Sequence, residues 1–147
     1  MIDDIIAKTD LHRKRLNLAL KEIKEWDNID SDIFENFEKI KVIDTFIYRF
    51  IKLQDIMGEK LFKVFLDDIG EYRDNMSLLD VLDKLEKFEI IDNANKWFEY
   101  RKLRNQLTHE YPNDEDEIID GIKIAIDVFY EIETILRSIE KYIEDRK

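Results

Sequence analysis

The chain has no cysteine, which removes disulfides, thiolate metal sites and a cysteine nucleophile together. Its two histidines, His12 and His109, stand far apart in sequence, so no histidine-rich metal site is expected, and no cofactor is implied. One proline and three glycines in 147 residues leave few turns of the kind that punctuate a sheet protein. No apolar run approaches the ~18 residues of a membrane span. The opening MIDDIIAKTD carries acids and only a very short apolar run, unlike a secretory signal, so a cytoplasmic protein is expected. Internal repeats, Gly-rich phosphate loops and strand alternation are missing as well.

What the chain has in excess is charge: 40% of its residues are charged, with a net value of −11. That composition, with so few helix breakers, favours long amphipathic helices. The acidity argues against broad, non-specific nucleic-acid binding. It permits a focused site, because charges beyond roughly 10 Å are largely screened at physiological salt.

Apolar periodicity then divides the chain. Residues 3–26 read as a helix with Ile5, Ile6, Leu16, Leu20 and Ile23 inward. Its run His12-Arg13-Lys14-Arg15 reads as a solvated face. After a turn at residues 27–31, with Ser31 as the expected N-cap, residues 32–68 form the most apolar stretch. It is hydrophobic nearly all round and therefore a buried spine, with an interruption expected at Gly58. Arg49, Gln54 and Asp55 fall within it and read first as surface groups, second as supports for the basic stretch below. Gly70 ends the spine. Ser77 with Asp80 starts a short helix as an acidic capping box, placing Leu78, Leu79, Leu82, Leu85 and Phe88 inward, and Asp92 is the expected cap of the helix after it. Residues 114–144 make the last helix, striped by Ile118, Ile122, Ala125, Phe129, Ile132, Leu136, Ile139 and Ile143. Its opening acids Asp114, Glu115, Asp116 and Glu117 suit a helix N-terminus better than a metal site. The expectation is one all-α domain over residues 1–147, an up-and-down bundle of four main helices plus a short one.

One stretch departs from the acidic background. Residues 93–109 carry Lys96, Arg101, Lys102 and Arg104 against Glu99 alone, whereas residues 110–120 carry six acids and no base. At about 100° per residue, Tyr100, Leu103 and Leu107 form a core stripe. Arg101, Arg104, Asn105, Thr108 and His109 share the opposite side. Pro112 disfavours helix at Tyr111, so the helix is expected to end near His109 or Glu110, where the helix dipole favours imidazolium. Arginine and histidine in a last turn also stabilise any helix end. On one face, however, they are the minimum set for metal-free phosphodiester cleavage: a planar cation for phosphate and a tunable proton carrier.

The string Arg104-Asn105-x-x-x-His109-Glu110-Tyr111 resembles the R-x4-H-x-Y signature of HepT-like toxins in the HEPN superfamily. The match includes the polar residue after the arginine and the tyrosine after the histidine, and the helical layout is similar along nearly the whole chain. The resemblance implies a toxin that is a metal-independent endoribonuclease, with RNA as substrate. Arg104, His109 and Asn105 would be the catalytic residues, with Arg101 and Thr108 as substrate contacts. It also implies a homodimer joined through the motif helix, with both motifs facing one cleft. Trp97 and Phe98, on the side of Arg101 and Asn105, need cover from another helix of the chain or from a second subunit. Finally, it implies that Tyr111 accepts AMP from a partner nucleotidyltransferase, the antitoxin. A different class stays open: a non-catalytic nucleotide- or partner-binding subunit of such a nucleotidyltransferase. So does a helical interaction module in which Arg104 and His109 only cap their helix.

Overall fold

In a chain this poor in glycine and proline, helices stop where capping chemistry stops them, and the architecture follows those stops. The computed structural model describes residues 1–108 and 114–147, and among them every regular element is helical. In order these are α1 (Ile2–Lys24), a 3-10 turn (Ser31–Glu35), α2 (Phe37–Ile56), a π-helical turn (Met57–Leu61), α3 (Phe62–Asp68), α4 (Leu78–Lys87), α5 (Ala94–Thr108) and α6 (Glu115–Asp145). Sequential helices are neighbours: α1 lies on α2, α3 on α4, α4 on α5 and α5 on α6, while α2 also meets α5 and α6. This is an all-α bundle with the adjacency of an up-and-down arrangement.

The expected spine of residues 32–68 is three pieces. The Asp30 carboxylate accepts the Asp32 N–H and starts the 3-10 turn. Asn36 then accepts the Lys39 N–H and starts α2. Ser31 therefore caps nothing; the better-placed acceptors on either side take the orphan N–H groups. The interruption expected at Gly58 is the π turn, where the Phe62 N–H reaches back to the Met57 carbonyl. Gly70 closes α3 with φ at +78°, and its neighbour Glu71 returns an N–H to the Leu66 carbonyl at 2.7 Å, the left-handed closure that glycine permits. The Ser77–Asp80 capping box forms as expected. Asp114 caps α6 by accepting the Glu117 N–H.

The core fills around Leu16, Phe46, Phe50, Phe62, Phe65 and Phe129, all fully buried. Of the inward residues expected in α4, Leu82 and Leu85 are buried, whereas Leu79 is exposed and Val81 takes its place. The basic run in α1 is also not simply solvated. Arg13 leaves it to pair with Glu133 of α6 at 2.7 Å, and His12 is half-buried against α2.

Candidate functional site

The start of α5 is set by Asn93, whose side chain accepts the Asn95 N–H at 2.8 Å. Asn93, one residue beyond the expected Asp92, supplies the cap. From there Ala94, Trp97, Tyr100 and Leu103 turn inward at helical spacing. Trp97 is 1% exposed, packed edge-on against Phe62 at 4.8 Å and against Tyr100 at 6.0 Å. Its cover comes from within the chain. Truncating such a ring costs about 3–5 kcal/mol, so a charge at Trp97 reports on folding and not on subunit contacts. Phe98, by contrast, is 41% exposed.

Two polar residues of α2 hold α5 in place, and neither is the surface group the sequence suggests. Gln54 is buried and donates its Nε2 to the Tyr100 carbonyl at 3.1 Å. Asp55 takes Arg104 in a fork, Nε to Oδ1 at 3.0 Å and Nη2 to Oδ2 at 2.8 Å. Their only sequence signal is position: a polar pair inside the most apolar run, one turn before Gly58. Arg49, the third polar residue of that run, turns to His12 of α1 instead. Toward α6, Tyr100 donates its hydroxyl to Glu131 at 2.7 Å. Burial, with that carboxylate, pushes the phenol pKa up.

Arg104 and Asp55 have side-chain exposures of 26% and 27%. The fork raises the guanidinium pKa further above its ordinary range, so Arg104 is a permanent cation with a fixed orientation. Its Nη1 reaches Asn105 Oδ1 at 3.3 Å. Among the described residues three of the five guanidinium donors are thereby engaged, which leaves two for a ligand oxygen. Asn105 is exposed with its amide nitrogen uncommitted among the described residues. Thr108 donates its hydroxyl to the Asn105 carbonyl at 2.7 Å, and Arg101, half-buried, lies beside Gly58 of the π turn. Arg104, Asn105, Arg101 and Thr108 are thus together on α5. His109 and Tyr111, the expected proton carrier and modification site, lie outside the described residues, as does Pro112.

Beside the last described turn of α5 is a cleft of about 820 Å³, lined chiefly by apolar groups such as Phe34, Ile47, Ile51, Leu107 and Ile118. Gly121 allows α6 to approach there: a Cβ on it would meet Leu107 at 3.3 Å. Among the described residues, no group of three or more histidine or acidic side chains is arranged to hold a metal ion. Comparison with family models, curated proteins and solved structures found nothing that matches this chain.

Proposed function

We propose that the chain is an RNA-cutting toxin of the HepT-like kind, acting without a metal ion and restrained by a nucleotidyltransferase partner. The observation that supports this most is the Asp55–Arg104 fork, which aims a guanidinium with spare donors out of the helix that carries the R-x4-H-x-Y string. RNA brings its own nucleophile. As the 2′-oxygen bonds to phosphorus, its proton passes to neutral His109, and Arg104 stabilises the extra negative charge on the phosphorane. Asn105 steadies Arg104 and offers an amide N–H to a phosphate oxygen. The phosphorus–O5′ bond then breaks, and O5′ takes a proton from the imidazolium of a second copy facing the same cleft. The products are a 2′,3′-cyclic phosphate and a 5′-hydroxyl. AMP transfer to Tyr111 releases pyrophosphate from ATP and leaves a phosphate that competes with RNA for Arg104.

A second reading draws on the same fork. An arginine already paired with a carboxylate pulls less on phosphate, and the chain is strongly acidic. Both features suit a binding subunit for a nucleotidyltransferase that cuts nothing. Expression of wild type, Arg104→Ala and His109→Ala without a partner separates the two. Wild type alone arrests growth, and the purified protein cuts RNA in EDTA. Equal growth of all three strains sinks the toxin. With the partner present, Tyr111→Phe stays toxic; if the partner silences it as well as wild type, restraint works by binding alone.

A further inference from the structure

One face of α2, whose Tyr48 lines the cleft that Thr108 of α5 also lines, runs against the acidity of the chain. On α2, Tyr48, Lys52 and Asp55 are spaced i, i+4 and i+7 and so share a face. Tyr48 is 52% exposed and Lys52 is exposed. The Arg49 guanidinium and the Lys52 ammonium both lie over the Tyr48 ring, 5.1 and 5.6 Å from its centroid, while about half of the residue stays open to solvent. Arg49 also donates from Nη1 to His12 Nδ1 across the α1–α2 seam at 3.0 Å, which makes His12 neutral with its proton on Nε2. One turn along α1 stands Arg15, exposed.

Partial burial lowers the pKa of His12, and the cations Arg49, Lys52 and Arg15 lower it further. In a chain with 35 acids and 24 bases, three bases converge here. Among the described residues none of the three has a carboxylate within 4 Å. Asp55, next along the same face, is engaged with Arg104. The Tyr48 ring face and the His12 nitrogen hold Arg49 and Lys52 only as weak or neutral partners. Mutual repulsion opposes the grouping, and an anion would relieve it. The exposed ring narrows the anion to one that carries flat groups, because an aromatic flanked by cations is the usual platform for a base with its phosphates alongside.

We infer that Tyr48, Arg49 and Lys52 of α2, with His12 and Arg15 of α1, form a second subsite that grips single-stranded RNA through its phosphates and one stacked base. The subsite deepens the proposed function, on whose RNA substrate it rests, and it cuts nothing itself. From Tyr48 to Asp55 the helix rises about 10 Å. A strand lying on this face therefore reaches Arg104 within a few nucleotides of the base stacked on Tyr48.

The test uses the full chain and a fluorescent 2′-O-methyl oligoribonucleotide, which lacks the nucleophile and so reports binding without cleavage. Arg15→Ala with Lys52→Ala changes two exposed side chains and keeps the fold, checked by circular dichroism. It lowers affinity at least tenfold and reduces the slope of log K against log salt by about 1.4, at 0.7 for each phosphate left without its cation. Tyr48→Ala weakens binding fivefold or more, as removal of one stacking platform does. Wild-type affinity in these variants overturns the subsite, and so does the absence of binding by wild type. Polyphosphate competing as well as a base-bearing strand, with Tyr48→Ala silent, makes the patch a plain anion sink and overturns it too. Capture by phosphatidylglycerol vesicles in place of the oligonucleotide does the same. Cleavage with undiminished binding in the double variant leaves the ribonuclease standing without the subsite. Binding through Arg15 and Lys52 with no cleavage of ordinary RNA sinks the ribonuclease and keeps the subsite.

Discussion

Arg13 and Arg104 both grip carboxylates on other helices, and they do opposite things with the grip. Arg13 of α1 spans to α6, giving Nη2 to Glu133 at 2.7 Å and Nη1 to Glu140, with Asp10 at 3.4 Å. Asn17 adds a further N–H to Glu133 at 3.2 Å. Side-chain exposure there is 16% for Arg13 and 9% for Glu133, and the arginine faces three carboxylates that engage four of its five donors. Among the described residues Arg104 meets one carboxylate, at a higher exposure, and keeps donors in reserve. The first pair is a rivet between helices; the second is a fixed cation presented to solvent. An arginine–carboxylate pair is therefore no guide to a site by itself. Access and uncommitted donors decide it.

The largest effect that tests this contrast is on stability. Glu133→Ala leaves Arg13 buried against fewer acceptors and costs about 2–4 kcal/mol, somewhat under the full cost of breaking a buried pair. Urea unfolding reads it. Arg13→Met with Glu133→Leu removes both charges and returns to within about 1 kcal/mol of wild type, since apolar replacements of both partners are commonly neutral. At the other pair, Asp55→Ala costs less than about 1 kcal/mol, the range for a pair open to water. Equal losses at Glu133 and Asp55 would erase the distinction.

A smaller effect is on pH dependence. Burial opposes the charge on Glu133, but Arg13 and Asn17 outweigh it and hold its pKa below the ordinary 4.5. The folded state thus binds this proton less readily than the unfolded chain. Its stabilisation is complete above about pH 4.5 and drains away as pH falls through the depressed value. Glu133→Gln flattens that part of the stability profile, and an unchanged acid limb would refute the rivet. The smallest effect belongs to His12, whose pKa is lowered by burial first and then by Arg49, Lys52 and Arg15. Here the neutral ring is the folded form, so stability declines as pH drops below the ordinary value of 6.5 and stops declining below the depressed one. His12→Gln removes only that segment of the curve, measured as thermal midpoint against pH.

The helices are readable because each has a stripe at period 3.6 and a cap of strong type. Ser77 with Asp80, Gly70 and Asp114 all act where their chemistry places them. Ser31 and Asp92 mislead for one reason: a better acceptor lies one to five residues away, Asp30 and Asn36 in one case and Asn93 in the other, and only the turn geometry chooses among them. Leu79 reads as part of the apolar stripe of α4, but Val81, two residues on, is the one that faces the core. At the site, the basic face of α5 follows from spacing alone. Asp55 and Gln54 do not, because a residue 49 positions from Arg104 has no local pattern to betray the pairing; tertiary packing supplies it. The neutral His12 is hidden likewise, since Arg49 is 37 positions away.

The π turn at Met57–Leu61 works like an inserted letter that the reading frame survives. Counted at about 100° per residue, Leu53, Met57 and Leu61 would share a face of an unbroken helix, but Phe62, Phe65 and Leu66 would sit about 100° further round than a turn with one extra residue leaves them. The turn absorbs one extra residue, and all six are buried. Just before it Gln54 and Asp55 address α5, and after it Phe65 and Leu66 stay in the core. Deleting exposed Glu59 from the turn would let the ladder close as plain α-helix with both halves still in phase. The same cut at exposed Asp127, in the unbroken α6, has no such slack to take up. It would rotate Val128, Phe129 and Ile132 by about 100° relative to Ile122 and Ala125. Indel tolerance in this bundle is therefore concentrated where the helix already carries its surplus.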